Sequence, residues 1–128
     1  MIIADANLIV SKFLVTEATS AAEEVYRKDG NWRAPRLWRY EVLNALSNLM
    51  KAGMISKVKV SEVYNRASAF MQYHEQDALP ERVIDLVDNH KLTAYDAQYA
   101  ALAIENHCPV YTRDKGILAT IPEYAEKY

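Results

Sequence analysis

The sequence predicts a layered α/β domain built on a mainly parallel sheet. Short apolar runs that end in a polar residue, such as "MIIAD", are typical of strands buried on both faces of such a sheet. Longer stretches with apolar residues at helical spacing separate these runs, and strands that alternate with helices favour parallel pairing. A length of 128 residues suits one domain with its own hydrophobic core.

The amino-terminal part is predicted to run strand, helix, helix, strand. The first strand ends at Asp5, and Asn7 is expected to cap a helix over "LIVSKFLV". A second helix over "ATSAAEEVYRKDG" closes on Gly30. "NWRAP" is predicted to be a short second strand, which ends at Pro35.

The rest of the chain is predicted to be mostly helical before one last strand. Residues 37–51 carry their apolar side chains in one stripe of a 3.6-residue helix, which ends at Gly53. "KVSEVYNRASAFMQYH" repeats this period, so the two segments are expected to form a long helical hairpin. Helices over residues 80–89 and 93–106 follow, and "CPVYT" is predicted to be a strand.

Composition excludes several classes of protein. A net charge of -2 provides no general attraction to nucleic acid, so RNA binding would depend on a local basic patch or on metal ions. The single Cys108 excludes an internal disulfide and is expected to be a buried thiol. With three glycines, the chain has no phosphate-cradling glycine loop. No signal peptide or membrane span is recognisable, so we expect a cytoplasmic protein.

Four acidic residues fall where this fold would bring side chains together. Asp5 ends the first strand and Asp114 follows the last, so both are expected at the carboxyl edge of the sheet, where ligands of open α/β sheets bind. Glu41 lies at the margin of an apolar helical stripe, and Asp96 lies in the first turn of a helix. Each has a structural alternative: Asp5 and Asp96 as helix caps, Glu41 as a solvated boundary residue, and Asp114 as a turn acid beside Gly116.

Taken together, the four acids indicate a metal site. Carboxylates around one crevice repel one another unless divalent cations neutralise them. Oxygen-rich sites suit Mg²⁺ or Mn²⁺, and a bound ion can lower the pKa of a water so that hydroxide attacks phosphorus. The predicted chemistry is therefore phosphodiester hydrolysis. His74, His90 and His107 share no metal-ligand spacing and are expected near helix ends.

In order along the chain, "MIIADANLIV", "LWRYEVLNAL", "LTAYDAQYAALA" and "VYTRDKGIL" resemble the motifs of PIN-domain ribonucleases, in particular VapC-type toxins of toxin–antitoxin pairs. The resemblance covers residues 1–128 as a single domain. It implies a three-layer α/β/α fold and endonucleolytic cleavage of RNA. It also implies that Asp5, Glu41, Asp96 and Asp114 form an acidic pocket that binds Mg²⁺ or Mn²⁺.

The same resemblance implies two supporting residues. Thr112 matches the hydroxyl that holds a metal-bound water or orients Asp114, and its alternative is an ordinary strand-end threonine. Asn7 would be a polar residue near Asp5, or merely a helix cap. "TRDKGI" offers no carboxylate beside Asp114, so one metal ion is the safer expectation.

Basic and aromatic residues near these motifs are candidates for RNA contacts. Arg113 and Lys115 flank Asp114, while Arg36 and Arg39 precede Glu41, and a positive rim of this kind would attract a phosphate backbone. The alternative for each is a solvated surface charge. Trp38 and Tyr40 are candidates for stacking on a base, although aromatics at such helical positions more often belong to the core or to an interface.

Partners follow from the resemblance alone. The helical hairpin around Gly53 carries more apolar surface than a small sheet needs, and by resemblance it contributes to an antitoxin-binding groove. The alternative is packing within the chain. Family members commonly form homodimers, and their antitoxins often place a basic side chain in the acidic pocket.

Two other functions compete with the ribonuclease. One is a catalytically silent PIN domain that binds RNA or protein. The other is a phosphotransfer enzyme like the haloacid-dehalogenase phosphatases, whose chemistry needs a second aspartate two positions after the first. Position 7 is Asn, which counts against the phosphatase.

Overall fold

The computed structural model describes all 128 residues, from Met1 to Tyr128. A parallel sheet of four short strands lies at its centre, in the order β2-β1-β3-β4. The strands are β1 Ile2–Ala4, β2 Trp32–Arg33, β3 Val110–Thr112 and β4 Ala125–Lys127. In this register Ile2 pairs with Trp32 and Ile3 pairs with Val110. Every residue of β1 is buried, as its apolar sequence predicts.

Seven helices cover the sheet and complete the predicted three-layer α/β/α fold. They are α1 Ala6–Phe13, α2 Thr19–Lys28, α3 Trp38–Lys51, α4 Lys57–Met71, α5 Pro80–Asn89, α6 Ala94–Asn106 and α7 Lys115–Thr120, followed by a 3₁₀ turn over Pro122–Tyr124. Helices α1 to α4 pack against one another. Helix α6 packs on β1 and β3, and α5 and α7 pack against α6. None of the helices is both long and apolar enough to span a membrane.

The predicted helical hairpin is present, and its buried side packs within the chain. Gly53 links α3 to α4 with a φ of 73°, a left-handed conformation that glycine adopts without strain. Val63, Ala67 and Met71 of α4 are buried in the core. Val58, on the same helix, is 77% exposed, so part of the apolar surface of the hairpin has no partner in this chain.

The start of α1 differs from the prediction. The chain is still extended at Asp5, whose Oδ1 accepts a hydrogen bond from the Leu8 N–H at 2.7 Å. Asp5 is therefore the N-cap of α1, and the prediction that Asn7 caps this helix is wrong. Asn7 lies inside the first turn with its side chain exposed.

Two elements, α7 and β4, were not predicted from the sequence. Six residues of α7 are too few to show a clear helical period. The three residues of β4, "AEK", pair only with β3, and two of them are charged. Charged residues are common on an edge strand because they oppose pairing with another chain.

The predictions for the cysteine and the three histidines agree with the structure. Cys108 is a buried free thiol. His90 and His107 follow the last residues of α5 and α6 as their C-caps. His74 lies just beyond α4, with its ring stacked on Phe70.

Candidate active site

A pocket of about 290 Å³ opens at the carboxyl edge of the sheet, where α1, α3, α6 and α7 meet β3. All four predicted acids line it, and so do the two predicted supporting residues. Its polar lining consists of Asp5, Asn7, Glu41, Asn44, Asn48, Asp96, Tyr99, Thr112 and Asp114. Asp5 follows β1 and Asp114 follows β3, and these neighbouring parallel strands end at the same edge.

Asp5 is the deepest of the four acids, with 8% of its surface exposed. One carboxylate oxygen caps α1, and the other accepts a hydrogen bond from the Thr112 hydroxyl at 2.7 Å. Burial nevertheless dominates and raises the pKa of Asp5 from 3.8 to about 6, with a smaller contribution from the charge of Glu41. The carboxylate of Asp5 is therefore costly to keep ionised without a cation nearby.

Thr112 connects the two acids that follow strands. It is fully buried, and its oxygen donates to Asp5 and accepts a hydrogen bond from the Asp114 N–H at 3.0 Å. One hydroxyl therefore sets the position of the Asp5 carboxylate and of the backbone at Asp114. This use exceeds the role of an ordinary strand-end threonine.

Asp114 begins α7. Its Oδ1 accepts a hydrogen bond from the Ile117 N–H at 2.8 Å and caps the helix, which leaves Oδ2 without a hydrogen-bond partner. The alternative of a turn acid beside Gly116 does not describe this site, because Asp114 is a helix N-cap and Gly116 lies inside the first turn of α7. A Cβ atom at this position would lie 3.1 Å from Asp114 Oδ1, so glycine leaves room for the carboxylate.

Asp96 lies in the first turn of α6, but it does not cap the helix. The Thr93 hydroxyl is the cap, and it accepts a hydrogen bond from the Asp96 N–H at 3.1 Å. No hydrogen bond runs in the reverse direction from the Thr93 N–H to the Asp96 carboxylate. Burial raises the pKa of Asp96, and the charge of Asp114 raises it further. A hydrogen bond with the Thr93 side chain opposes this rise. The Asp96 carboxylate lines the pocket, and none of the other residues that line it is basic.

Glu41 is half-buried and has a partner that the sequence analysis missed. The Tyr99 hydroxyl, on α6, donates to Glu41 Oε1 at 2.7 Å. Burial raises the pKa of Glu41, and the hydrogen bond from Tyr99 opposes this effect. Burial and the charge of Glu41 raise the pKa of Tyr99 far above its usual value, so the hydroxyl stays protonated and keeps donating. A signal existed, since Tyr99 lies three residues after Asp96 and shares its helix face.

The pocket has no internal counter-charge, because none of the residues that line it is Lys or Arg. Three of its four carboxyls have a raised pKa, and in each case a neighbouring carboxylate contributes to the shift. No three His, Cys, Asp or Glu side chains lie close enough to form a ready-made metal cluster. Mg²⁺ usually binds one or two carboxylates directly and keeps several waters, so this spread set of oxygen donors fits a hydrated divalent ion.

None of the four predicted phosphate-binding cations lines the acidic pocket. Arg36 pairs with Asp77 at 2.7 Å, and Arg39 pairs with Glu75 at 2.7 Å and also donates to Ser68. Arg113 donates to the backbone oxygen of Tyr128 and lies over the Tyr128 ring. Lys115 is exposed in the first turn of α7, and it is in no ion pair.

Replacing Tyr99 by Phe is expected to reduce the activity of the site by about 10- to 100-fold, the usual loss when a residue that supports a metal ligand is removed. The change deletes only the hydroxyl that holds Glu41. Because Glu41 loses a hydrogen bond to its charged form, its pKa is expected to rise. The acid limb of the pH–rate profile, where activity appears as Glu41 ionises, should therefore shift to higher pH. The measurement is the pH–rate profile of both proteins, and the control is Tyr64→Phe, a tyrosine of α4 outside the pocket. Unchanged rates at every pH would exclude this role for Tyr99.

An acidic pocket at the carboxyl edge of a parallel sheet, supported by a buried threonine, defines an α/β domain with a candidate divalent-metal site. The PIN domain family model matches residues 2–123. The chain therefore belongs to the PIN-domain family, whose members are generally metal-dependent nucleases.

Several solved structures are similar to this chain, and one of them matches nearly its whole length. It is the crystal structure of PAE2754 from Pyrobaculum aerophilum, with a TM-score of 0.77 and 20% sequence identity over 98% of this chain and 89% of that chain. At this identity the likeness concerns the fold. No curated protein matches the sequence.

Proposed function

We propose that this PIN domain is a metal-dependent endoribonuclease that hydrolyses RNA phosphodiester bonds in the cytoplasm as the toxin of a toxin–antitoxin pair. The observation that supports the activity is the pocket in which Asp5, Glu41, Asp96 and Asp114 converge with no basic residue among them. Such a pocket needs cations to balance its charge, and the substrate of a nuclease brings phosphate oxygens that share those cations.

The four carboxylates have different parts in the proposed mechanism. Asp5, held by Thr112 and by the α1 backbone, and Asp96, which makes no capping bond, would hold Mg²⁺ or Mn²⁺ together with Asp114 and Glu41. When bound, such an ion supplies a water of lowered pKa and neutralises charge on the phosphate. Glu41 is kept in place by Tyr99 and is suited to orient an attacking water or to accept its proton. Asn7, Asn44 and Asn48 supply neutral hydrogen-bonding groups around the phosphate.

The toxin role rests on the sequence motifs and on an unpartnered surface. Leu14, Val15, Leu49, Met54 and Ile55 line a separate cleft of about 450 Å³ beside the link between α3 and α4. Val15 and Met54 are 91% and 71% exposed, so this cleft presents apolar side chains to solvent. We propose that an antitoxin covers this cleft and places a basic side chain in the acidic pocket, and that the protein forms a homodimer.

The test of the activity is incubation of purified, partner-free protein with total cellular RNA in Mg²⁺ or Mn²⁺, with EDTA, and with Asp96→Asn under the same conditions. Discrete fragments that need both the metal and Asp96 are the expected result. Asp85→Asn, an exposed acid of α5 outside the pocket, is the matched control and should cleave like the wild type. RNA binding without cleavage by folded protein would instead favour the catalytically silent PIN domain.

The toxin role has its own readout. Expression of the wild-type chain should arrest growth, and Asp96→Asn should not, because the arrest depends on RNA cleavage. An active nuclease that leaves growth unaffected would contradict the toxin role without contradicting the activity.

A further inference from the structure

Three neighbouring clefts are linked, because each shares lining residues with the next. The acidic pocket shares Glu41, Asn44 and Asp96 with a second cleft of about 330 Å³, here called the tyrosine cleft, which is also lined by Leu37, Tyr40, Thr93 and Tyr95. The tyrosine cleft shares Leu37 and Tyr40 with an outer cleft of about 600 Å³. Arg36, Gln98 and apolar residues of α5 line this outer cleft. The three clefts are therefore adjacent, and together, here called the groove, they extend from the acidic pocket towards Arg36.

Two exposed tyrosines line the middle of this groove. Tyr40 is 71% exposed and Tyr95 is 63% exposed, whereas Trp38, the other aromatic residue considered for stacking, is fully buried. Tyr40 directly precedes Glu41 on α3, and Tyr95 directly precedes Asp96 on α6. The helices that position two of the carboxylates thus also position the two rings. Neither ring contacts another aromatic ring, and neither hydroxyl has a hydrogen-bond partner in the chain.

The chemistry of the groove matches an unpaired nucleotide strand. Exposed aromatic rings are platforms on which bases stack, whatever the base. Asn44 is exposed where the acidic pocket and the tyrosine cleft meet, and its amide offers a donor and an acceptor to a base edge.

Arg36 supplies positive charge at the far end of the groove. Its Nε and Nη2 are held by Asp77, while Nη1 has no partner and the side chain is 73% exposed. A fixed guanidinium with one free nitrogen can contact a phosphate while it keeps its ion pair.

We propose that Tyr40 and Tyr95 form a nucleobase-binding subsite beside the acidic pocket, and that Arg36 contacts a phosphate farther along the same strand. The subsite rests on the proposed function, because it places a base next to the phosphate that the acidic pocket would receive. Bases inside a duplex are stacked on one another and cannot lie on these rings. The nucleotides at the cleavage point are therefore unpaired.

The test is equilibrium binding of a short unpaired oligoribonucleotide that contains 2-aminopurine, in Mg²⁺. All proteins carry Asp114→Asn to prevent cleavage, since Asp114 does not line the tyrosine cleft. Tyr40→Leu and Tyr95→Leu should each weaken binding by about tenfold, as expected for one lost base stack, and should diminish the fluorescence change. Tyr40→Phe keeps the ring and should bind like the parent. Tyr73→Leu removes a tyrosine that is 87% exposed outside the groove and should have no effect.

Two further measurements test whether the bound RNA must be single-stranded and whether Arg36 contacts a phosphate. The same oligoribonucleotide annealed to its complement should bind more weakly than the single strand. Arg36→Gln should reduce the slope of log affinity against log salt concentration by about 0.7, the value for one phosphate contact on a single strand.

The outcomes separate the subsite from the nuclease. If the wild type cleaves RNA, but RNA binding in the Asp114→Asn background is indifferent to both tyrosines, the subsite alone is overturned. If binding in that background depends on the tyrosines, but the wild type never cleaves RNA, the subsite is supported and the endoribonuclease is contradicted. If Tyr40→Leu changed the sedimentation of the protein but not its RNA binding, the rings would belong to an interface between two copies, and the subsite would be overturned.

Discussion

Replacing Asp5 by Asn is expected to reduce metal-dependent RNA cleavage by more than about 100-fold, because even residues that only support metal ligands contribute about 10- to 100-fold. Asn keeps the size of the side chain and is as good a helix N-cap as Asp, so α1 should begin at the same residue. What disappears is the negative charge nearest to Thr112 at the base of the pocket. The loss of activity would therefore report on the charge rather than on the fold.

The same substitution is expected to stabilise the metal-free protein at neutral pH. Burial raises the pKa of Asp5 from 3.8 to about 6. At roughly 1.4 kcal/mol per pKa unit, ionised Asp5 costs the folded state about 3 kcal/mol above pH 6. Asn carries no charge and avoids most of this cost, although the hydrogen bond from Thr112 must rearrange. Urea denaturation in EDTA at pH 7.5 measures the change in the free energy of unfolding.

Loss of activity together with a gain of stability is the signature of a residue selected for its chemistry. Asp85→Asn is the matched control and should change neither quantity, because Asp85 is exposed on α5. If Asp5→Asn lost both activity and stability, the Asp5 carboxylate would be mainly a structural hydrogen-bond partner of Thr112. Retained activity would remove Asp5 from the candidate metal site.

The second large effect concerns how pH and metal ions change stability. Below pH 3.8 Asp5 is protonated in the folded and the unfolded chain, and it adds no penalty. As the pH rises towards about 6, Asp5 ionises in the unfolded chain before it ionises in the folded chain, so the folded state loses stability. Above about pH 6 this loss is complete. Glu41 and Asp96 have raised pKa values and act in the same direction.

Other carboxylates act in the opposite direction, since ion pairs and hydrogen bonds lower the pKa values of Asp29, Glu75 and Asp77. The pH dependence is therefore measured as the difference between the wild type and Asp5→Asn. In EDTA this difference should grow to about 3 kcal/mol between pH 4 and pH 7.

Adding Mn²⁺ or Mg²⁺ should reduce the difference in the free energy of unfolding between the wild type and Asp5→Asn at neutral pH. At pH 4 the metal should hardly change this difference, because a protonated carboxyl is a poor metal ligand. Thermal denaturation with and without metal, at both pH values, gives this comparison. Equal metal stabilisation of the wild type and Asp5→Asn at pH 7 would show that any bound ion does not contact Asp5.

Much of the fold and the grouping of the acids follows from local sequence patterns. The period of residues 37–51 and of the segment after Gly53 predicted α3 and α4, and the helix predicted over residues 80–89 is α5 as observed. Asp5 and Asp114 were expected together because parallel strands end at one edge, and the structure places both in one pocket with Glu41 and Asp96. Their catalytic use remains a prediction.

Local patterns did not predict which partners each side chain finds. The sequence did not predict that the chain between α4 and α5 brings Asp77 to Arg36 and Glu75 to Arg39. The sequence offered both Asp5 and Asn7 as caps of α1, and the structure has Asp5, because the position at which a strand turns into a helix depends on backbone geometry that side-chain type alone does not determine.

By itself the sequence determined the order of helices and strands from β1 to β3 and the edge of the sheet at which Asp5 and Asp114 lie. Hydrophobic period and strand polarity are properties of short segments. Only the tertiary structure decided that Thr112 holds Asp5 across 107 residues and that Tyr99 holds Glu41 across 58. It also decided that burial raises the pKa of Asp5. Hydrogen bonds between distant residues, and the loss of water around a charge, exist only once the chain has packed.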